Sequence, residues 1–279
     1  MTEFELIVFA GSVAAGFLGA LAGLGGGVLI VPLLTVGFGI DIRYAIGASI
    51  VAVIATSSGA AATYVRDQIT NLRVAMFLEL ATTTGAIAGA YLAGLAQPTA
   101  LFLVFGLVLG SSAVPLMVRI GEELPKGVVG DGLSKRLSLG STYHDDVLDQ
   151  TVTYQVTRVP LGLGMMGIAG LLSGLLGIGS GAFKVLAMDV GMRLPMKVST
   201  TTSNFMIGVT AAASAGIYFA RGDVNPLIAA PVALGVLLGA GIGSRLLMRL
   251  HNKTLRMIFV PLLLVISLQM ILRGLGVQV

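Results

Sequence analysis

Apolar residues fill eight long stretches of the chain, at about 5–38, 44–64, 74–95, 99–118, 159–190, 198–220, 227–248 and 255–273. A helix that crosses the ~30 Å hydrocarbon core of a bilayer needs about 20 such residues. Most of the stretches therefore have the length of one membrane helix. The first and the fifth are too long for one, and each is interrupted by glycines: Gly23-Leu24-Gly25-Gly26-Gly27 and Gly177-Ile178-Gly179-Ser180-Gly181. The one clearly water-loving stretch, about 119–158, separates two sets of four and ends in an alternating, strand-like run from Thr151 to Val159. This pattern divides the chain into an N-terminal membrane unit (1–118), a soluble loop (119–158) and a C-terminal membrane unit (159–279).

The two membrane units resemble each other. A shift of 154 residues lays Gly16-Phe17-Leu18 on Gly170-Leu171-Leu172 and the first glycine run on the second. The same shift matches Gly37 with Gly191, Arg43 with Lys197, Ser49 with Ser203, Thr56 with Thr210 and Tyr64 with Tyr218, and Gly85-Ala86 and Gly89 with Gly239-Ala240 and Gly243. Charge decides how the copies are oriented. If every stretch crosses once, Lys and Arg divide seven against nine. If each glycine run turns the chain back, one side keeps only Arg43, Arg221 and Arg273. The other side then takes thirteen: Arg66, Arg73, Arg119, Lys126, Lys135, Arg136, Arg158, Arg193, Lys197, Arg245, Arg249, Lys253 and Arg256. Basic residues collect on the cytoplasmic side, so the second arrangement is the one predicted. It is an all-α polytopic membrane fold of two inverted repeats, each of about five helical pieces. Both termini are expected outside and the 119–158 loop in the cytoplasm. Inverted repeats with broken helices characterise secondary transporters.

Composition narrows the class further. Hydrophobic residues make up 56% of the 279 positions and charged residues 11%, with a mean hydropathy of +0.96. A soluble domain carries about 25% charged residues, so a soluble globular protein is excluded. The chain has no cysteine, which removes disulfides and thiolate metal sites, and its 39 glycines follow no collagen period. The net charge of +4 comes from basic residues scattered over loops, which fits membrane orientation rather than nucleic acid. Glu3 and Glu5 stand where a signal peptide would be basic, so no cleaved leader is expected.

The glycine breaks are the first candidates for chemistry. An unwound backbone in a membrane is tolerated only when protein covers it or it lines a cavity. A half-helix that starts past the break aims free N–H groups and a positive dipole end into the gap. Gly23, Gly25, Gly26 and Gly27, with Gly177, Gly179, Ser180 and Gly181, are thus candidate anion-binding residues. Close helix packing is the simpler alternative, and it is the reading given to Gly85, Gly89, Gly235, Gly239 and Gly243. Thr201, Thr202, Ser203 and Asn204 lie in a polar run that opens a membrane helix, and Ser49 is the repeat counterpart of Ser203. These five are candidates to line the cavity, against the alternative that hydroxyls bond back to their own helix. Lys184, three residues past the second break, is a candidate cation for an anion, or else a snorkelling or Asp189-paired lysine. Glu79 lies about 9 Å into its helix from Arg73 and is the candidate for a coupling proton, against a shallow ion pair near the interface. Tyr44, Tyr64, Tyr91 and Tyr218 sit at segment ends, as an aromatic belt would place them.

No catalytic group, metal site or cofactor is predicted. Gly162-Leu163-Gly164-Met165-Met166-Gly167 fits a dinucleotide fingerprint after a strand-like run, with Asp189 22 residues on, but the helix that follows is lipid-grade apolar and aligns with the first stretch, where no such pattern stands. A membrane-embedded enzyme would need acidic or histidine side chains gathered at membrane depth, where only Glu79, Lys184 and Asp189 come near. A scaffold subunit that binds a partner through 119–158 is the third class.

The run from Ala15 through Gly23-Leu24-Gly25-Gly26-Gly27 to Leu34, and its second copy from Gly170 to Gly181, resemble the repeated motif of the TauE/SafE sulfite-exporter family. The resemblance covers both halves outside 119–158. It implies a secondary carrier of sulfur-containing anions such as sulfite, sulfonates or sulfoacetate. The second motif departs from the first by having Lys184 and Leu186 where the first has Ile30 and Pro32. The partners implied are a small sulfur-containing anion and the lipid bilayer, with a homodimer as the assembly to test and no nucleic acid.

Overall fold

The computed structural model describes residues 3–22, 26–66, 69–118, 127–145, 150–247 and 252–277. The first membrane unit holds α1 (Glu3–Ala22), α2 (Gly27–Pro32), α3 (Ile42–Arg66), α4 (Leu72–Leu95) and α5 (Pro98–Val118). A short polar segment follows, with α6 (Gly132–Arg136), β1 (Ser141–Asp145) and β2 (Gln150–Tyr154). The second unit holds α7 (Val159–Leu176), α8 (Gly181–Leu186), α9 (Met196–Ala220), α10 (Pro226–Leu247) and α11 (Asn252–Gly274). α2 and α8 each run on into a wider π-helical turn, Leu33–Gly37 and Ala187–Gly191, at matching repeat positions. Four of the described helices are long and apolar enough to cross a bilayer: Leu72–Leu95, Val159–Leu176, Met196–Ala220 and Pro226–Gly243. The protein is an all-α membrane protein.

Both glycine breaks reverse the chain. Phe38, just past the first π turn, packs edge-on against Phe4 at the start of α1, with ring centroids 6.0 Å apart. A Cβ on Gly11 of α1 would touch Leu33 at 3.2 Å. The second break repeats the arrangement: the Thr157 N–H, just before α7, donates to the Met192 carbonyl at 3.2 Å. Each α1–α2 and α7–α8 pair is therefore a hairpin that returns to the face where it began. The remaining helices alternate in direction, so the two repeats start from opposite faces. The pairing of helices follows the same symmetry: α1 lies on α10 as α7 lies on α4, while α3 meets α9 and α5 meets α11. Arg273 in α11 donates to the Thr35 carbonyl, close to where Phe4 meets Phe38, so the start of α1 and the end of α11 lie on one face.

The interfaces between repeats are built from glycine. In lipid, helix association relies on close van der Waals packing rather than on hydrophobic expulsion. A Cβ on Gly174 would come within 1.9 Å of the Ala86 carbonyl oxygen, and one on Gly170 within 2.1 Å of that of Thr82. Gly85 and Gly89 of α4 press in the same way on Gly167 and Leu171, and Gly235 and Gly239 of α10 on Phe9 and Val13. These four glycines are packing residues, as their spacing predicts.

The polar segment is docked on the opposite face, beside the starts of α4, α7 and α9. β1 and β2 form an antiparallel hairpin with Ser141 opposite Tyr154. Leu139, Tyr143, Tyr154 and Val156 pack with Val74, Leu78, Met188, Met192 and Val198. Asn71 ties the junction together. Its side chain caps α4 through the Val74 N–H (3.0 Å) and donates to the Leu139 carbonyl and the Tyr154 hydroxyl, both at 2.8 Å. Burial pushes the Tyr154 phenol above its usual range, which keeps it neutral in that contact.

Tyr218 departs from the expected aromatic belt. It is buried, and its hydroxyl donates to the Gly174 carbonyl at 2.7 Å. Tyr44 and Tyr91 are exposed as a belt requires, and the Tyr64 side chain lies outside the described residues. The glycine seam gives a direct test. Gly174→Val has no room and should lower the melting temperature in detergent by the equivalent of about 1–3 kcal/mol. Gly216→Ala, where a Cβ meets nothing within 4 Å, should not lower it.

Candidate anion site at the two helix breaks

The second break is a run of left-handed backbone. Gly177, Gly179 and Ser180 have φ of 66°, 74° and 42°, a region that side chains enter at a cost and glycine enters freely. Ser180 is held there by its hydroxyl, which donates to the Ala169 carbonyl at 2.5 Å. α8 then starts at Gly181. Its Phe183 and Lys184 N–H groups go to the Ser180 carbonyl, both at 3.1 Å, which leaves those of Gly181 and Ala182 without a helix carbonyl. A small cavity opens here, lined by Val28, Ser112, Ile178, Ser180, Gly181 and Phe183 among others.

The two breaks meet. Ser49, fully buried in α3, places its hydroxyl 2.8 Å from the Gly177 carbonyl and 3.1 Å from the Gly27 carbonyl. One side chain of the first repeat thus joins the end of α7 to the start of α2. Its counterpart Ser203 donates to the Gly181 carbonyl at 3.2 Å, which is the Ser49–Gly27 contact repeated 154 residues on. Gly27 is confined by this junction, since a Cβ there would lie 2.4 Å from Val53 and 3.1 Å from the Gly177 oxygen. Gly26, also buried, caps α2. Gly23 and Gly25 lie outside the described residues.

The polar run of α9 does not face one way. Thr201 bonds back to the Lys197 and Val198 carbonyls (3.0 and 3.2 Å), and Thr202 accepts from the Asn71 N–H at 3.1 Å. Of the four candidates in this run, Ser203 is the one seen in contact with a break. Asn204 is half-buried and occupies the repeat position of Ile50, whose side chain packs on Gly177.

Lys184 does not snorkel. It is fully buried and donates from Nζ to the Thr210 hydroxyl at 2.5 Å. Thr210 has two acceptors for its one proton, Glu79 Oε1 at 2.6 Å and the Met206 carbonyl at 2.7 Å, and Thr83 donates to the same Glu79 oxygen at 3.0 Å. Glu79 is 8% exposed, and its Oε2 is buried without a hydrogen-bond partner. The symmetry-related positions are Ile30 and Thr56 of the first repeat and Ala233 of the second, so this charged line exists on one side of the pseudo-twofold only. Thr210, the link in that line, is a residue that sequence reasoning noted only as the match of Thr56. Its place seven residues after Ser203, on the same helical face, is the signal that points to it.

The sulfite exporter TauE/SafE family model matches residues 8–270. The chain belongs to the TauE/SafE family. It is similar to the probable membrane transporter protein YunE of Bacillus subtilis (strain 168), 28% identical over 280 residues and 98% of both chains. YdhB of the same organism, also described as a probable membrane transporter, is 27% identical over 242 residues, covering 86% of this chain and 87% of its own. A probable membrane transporter protein of Xylella fastidiosa (strain Temecula1 / ATCC 700964) is 28% identical over 253 residues, with 90% and 88% covered. No solved structure matches. Membership in TauE/SafE and these names indicate a membrane transporter.

Ser49 gives this site its own test. Removing the hydroxyl leaves the Gly177 and Gly27 carbonyls short of a donor in a buried place. Ser49→Ala should therefore cost about 1–3 kcal/mol, read as a lower melting temperature in detergent. Ser58→Ala, exposed and bonded only within its own helix, should leave the melting temperature unchanged.

Proposed function

We propose that the protein is a secondary carrier of a small sulfur-containing anion, of the sulfite, sulfonate or sulfoacetate type, working by alternating access between its inverted halves. The observation that carries this reading is the junction of the two breaks through Ser49. It gathers helix starts, left-handed backbone and hydroxyls at the centre of the repeat pair. An oxyanion stripped of water needs several donors to replace its hydration. The N–H groups at the starts of α2 and α8 supply them, with Ser203 holding the start of α8 in place, Asn204 as an added amide and Lys184 one turn inside α8 as the cation. The thirteen-to-three distribution of Lys and Arg supports a cytoplasmic-membrane orientation with both termini outside and the α6–β1–β2 segment in the cytoplasm. The family name and the names of the relatives favour transport over an embedded enzyme or a scaffold subunit.

The test is flux. Purified protein in liposomes should move radiolabelled sulfite or a sulfonate, with inorganic sulfate and taurine as comparison substrates. Movement above protein-free liposomes, competed by the unlabelled anion, is the expected result. No movement of any sulfur anion in either direction would contradict the reading.

A further inference from the structure

We propose that Glu79 is a proton-coupling residue, and that the Lys184–Thr210–Glu79 line makes the carrier bind one proton together with one monovalent anion. The inference rests on the anion-carrier reading and adds coupling and substrate charge to it. Its basis is charge balance in a dry site. A net charge buried among apolar groups costs several kcal/mol unless another charge compensates it. With Glu79 ionised and Lys184 protonated, the Thr210 hydroxyl sits between opposite charges and the line is neutral. An anion entering beside Lys184 would make the site negative. If a proton from water binds Glu79 at the same time, the Lys184 ammonium is balanced by the anion instead, and the site stays neutral. Loading the proton alone, or the anion alone, leaves an uncompensated charge.

The geometry of Glu79 fits this exchange. Oε1 is occupied by the Thr210 and Thr83 hydroxyls, whereas Oε2 is buried and unpartnered, and so open to a proton. The surroundings offer little to replace Lys184. Among the described residues, α7 carries no charged side chain along Val159–Leu176, and α9 carries only Lys197, near its start, which has contacts of its own. On α4 itself Arg73 is exposed and donates to the Ser138 carbonyl, and Asp189, in the π turn beyond α8, has an interaction of its own. One compensating cation matches one negative charge, so the site favours a monoanion such as bisulfite or a sulfonate over the sulfate dianion. Proton and anion travel in the same direction.

Liposomes holding the full chain test this with radiolabelled sulfite and methanesulfonate in two modes. Equilibrium exchange needs no net proton movement, whereas accumulation under a pH gradient does. The wild type should exchange, and should accumulate anion on the alkaline side by about tenfold for a gradient of one pH unit, the value for one proton per anion. Glu79→Gln should still exchange but should lose the accumulation, and Glu79→Asp should restore it in part. A trapped pH dye should report protons entering with methanesulfonate in the wild type. That readout decides the matter even if Glu79→Gln does not fold. Absence of exchange with either probe would overturn the carrier reading itself. Exchange without gradient-driven accumulation, without dye response, or with Glu79→Gln accumulating like the wild type would overturn the coupling proposal alone.

Discussion

A polypeptide that unwinds inside a bilayer must find partners for its N–H and C=O groups within the protein, because the hydrocarbon offers none. The rest of this structure depends on meeting that requirement at the glycine breaks. Ser49 supplies a donor where the carbonyls of Gly177 and Gly27 come together, and Ser203 does so for Gly181. α3 and α9, which carry the two serines, must therefore cross at the centre. α4 and α10 are then left to cover α7 and α1, and they can approach closely enough only through glycine. The same breaks turn α2 and α8 back on their predecessors, and so set the face from which each repeat starts.

Symmetry supplies the scaffold, and it fails locally at one charged line. The π turns, the serine contacts and the helix pairings recur at an offset of 154 residues. At one place they do not: Lys184, Thr210 and Glu79 of one side face Ile30, Thr56 and Ala233 of the other. Both threonines lie within reach of the carbonyl one turn back, Thr56 of Ala52 at 3.0 Å and Thr210 of Met206 at 2.7 Å, but only Thr210 also meets charged groups.

Much of this was legible in the sequence, for physical reasons. Hydropathy alone separates the helices because lipid punishes polar residues along a whole span; the stretch 74–95 became α4 at Leu72–Leu95. The reversals were legible because Lys and Arg lie thirteen to three only if the glycine runs turn. The Glu79–Thr210 bond, which joins residues 131 apart, was not legible, because nothing local in RVAMFLEL or in MIGVT announces a partner. The Thr202 contact with Asn71 spans the same separation and escaped for the same reason. Tyr218 misled because segment ends suit both an interfacial belt and a buried hydroxyl beneath a neighbouring helix; only the contact with Gly174 distinguishes them.

The central claim is that each glycine break sends the chain back to its starting face, and the absence of native cysteine makes it accessible to labelling. Single cysteines at Glu3, Asp41, Ser138 and Arg193, all exposed, can be probed in intact cells with a membrane-impermeant maleimide. Positions 3 and 41 should label from the outside, and 138 and 193 only after permeabilisation. Labelling of positions 3 and 41 from opposite sides would mean that the first glycine run does not reverse the chain, and the inverted repeat would fall with it.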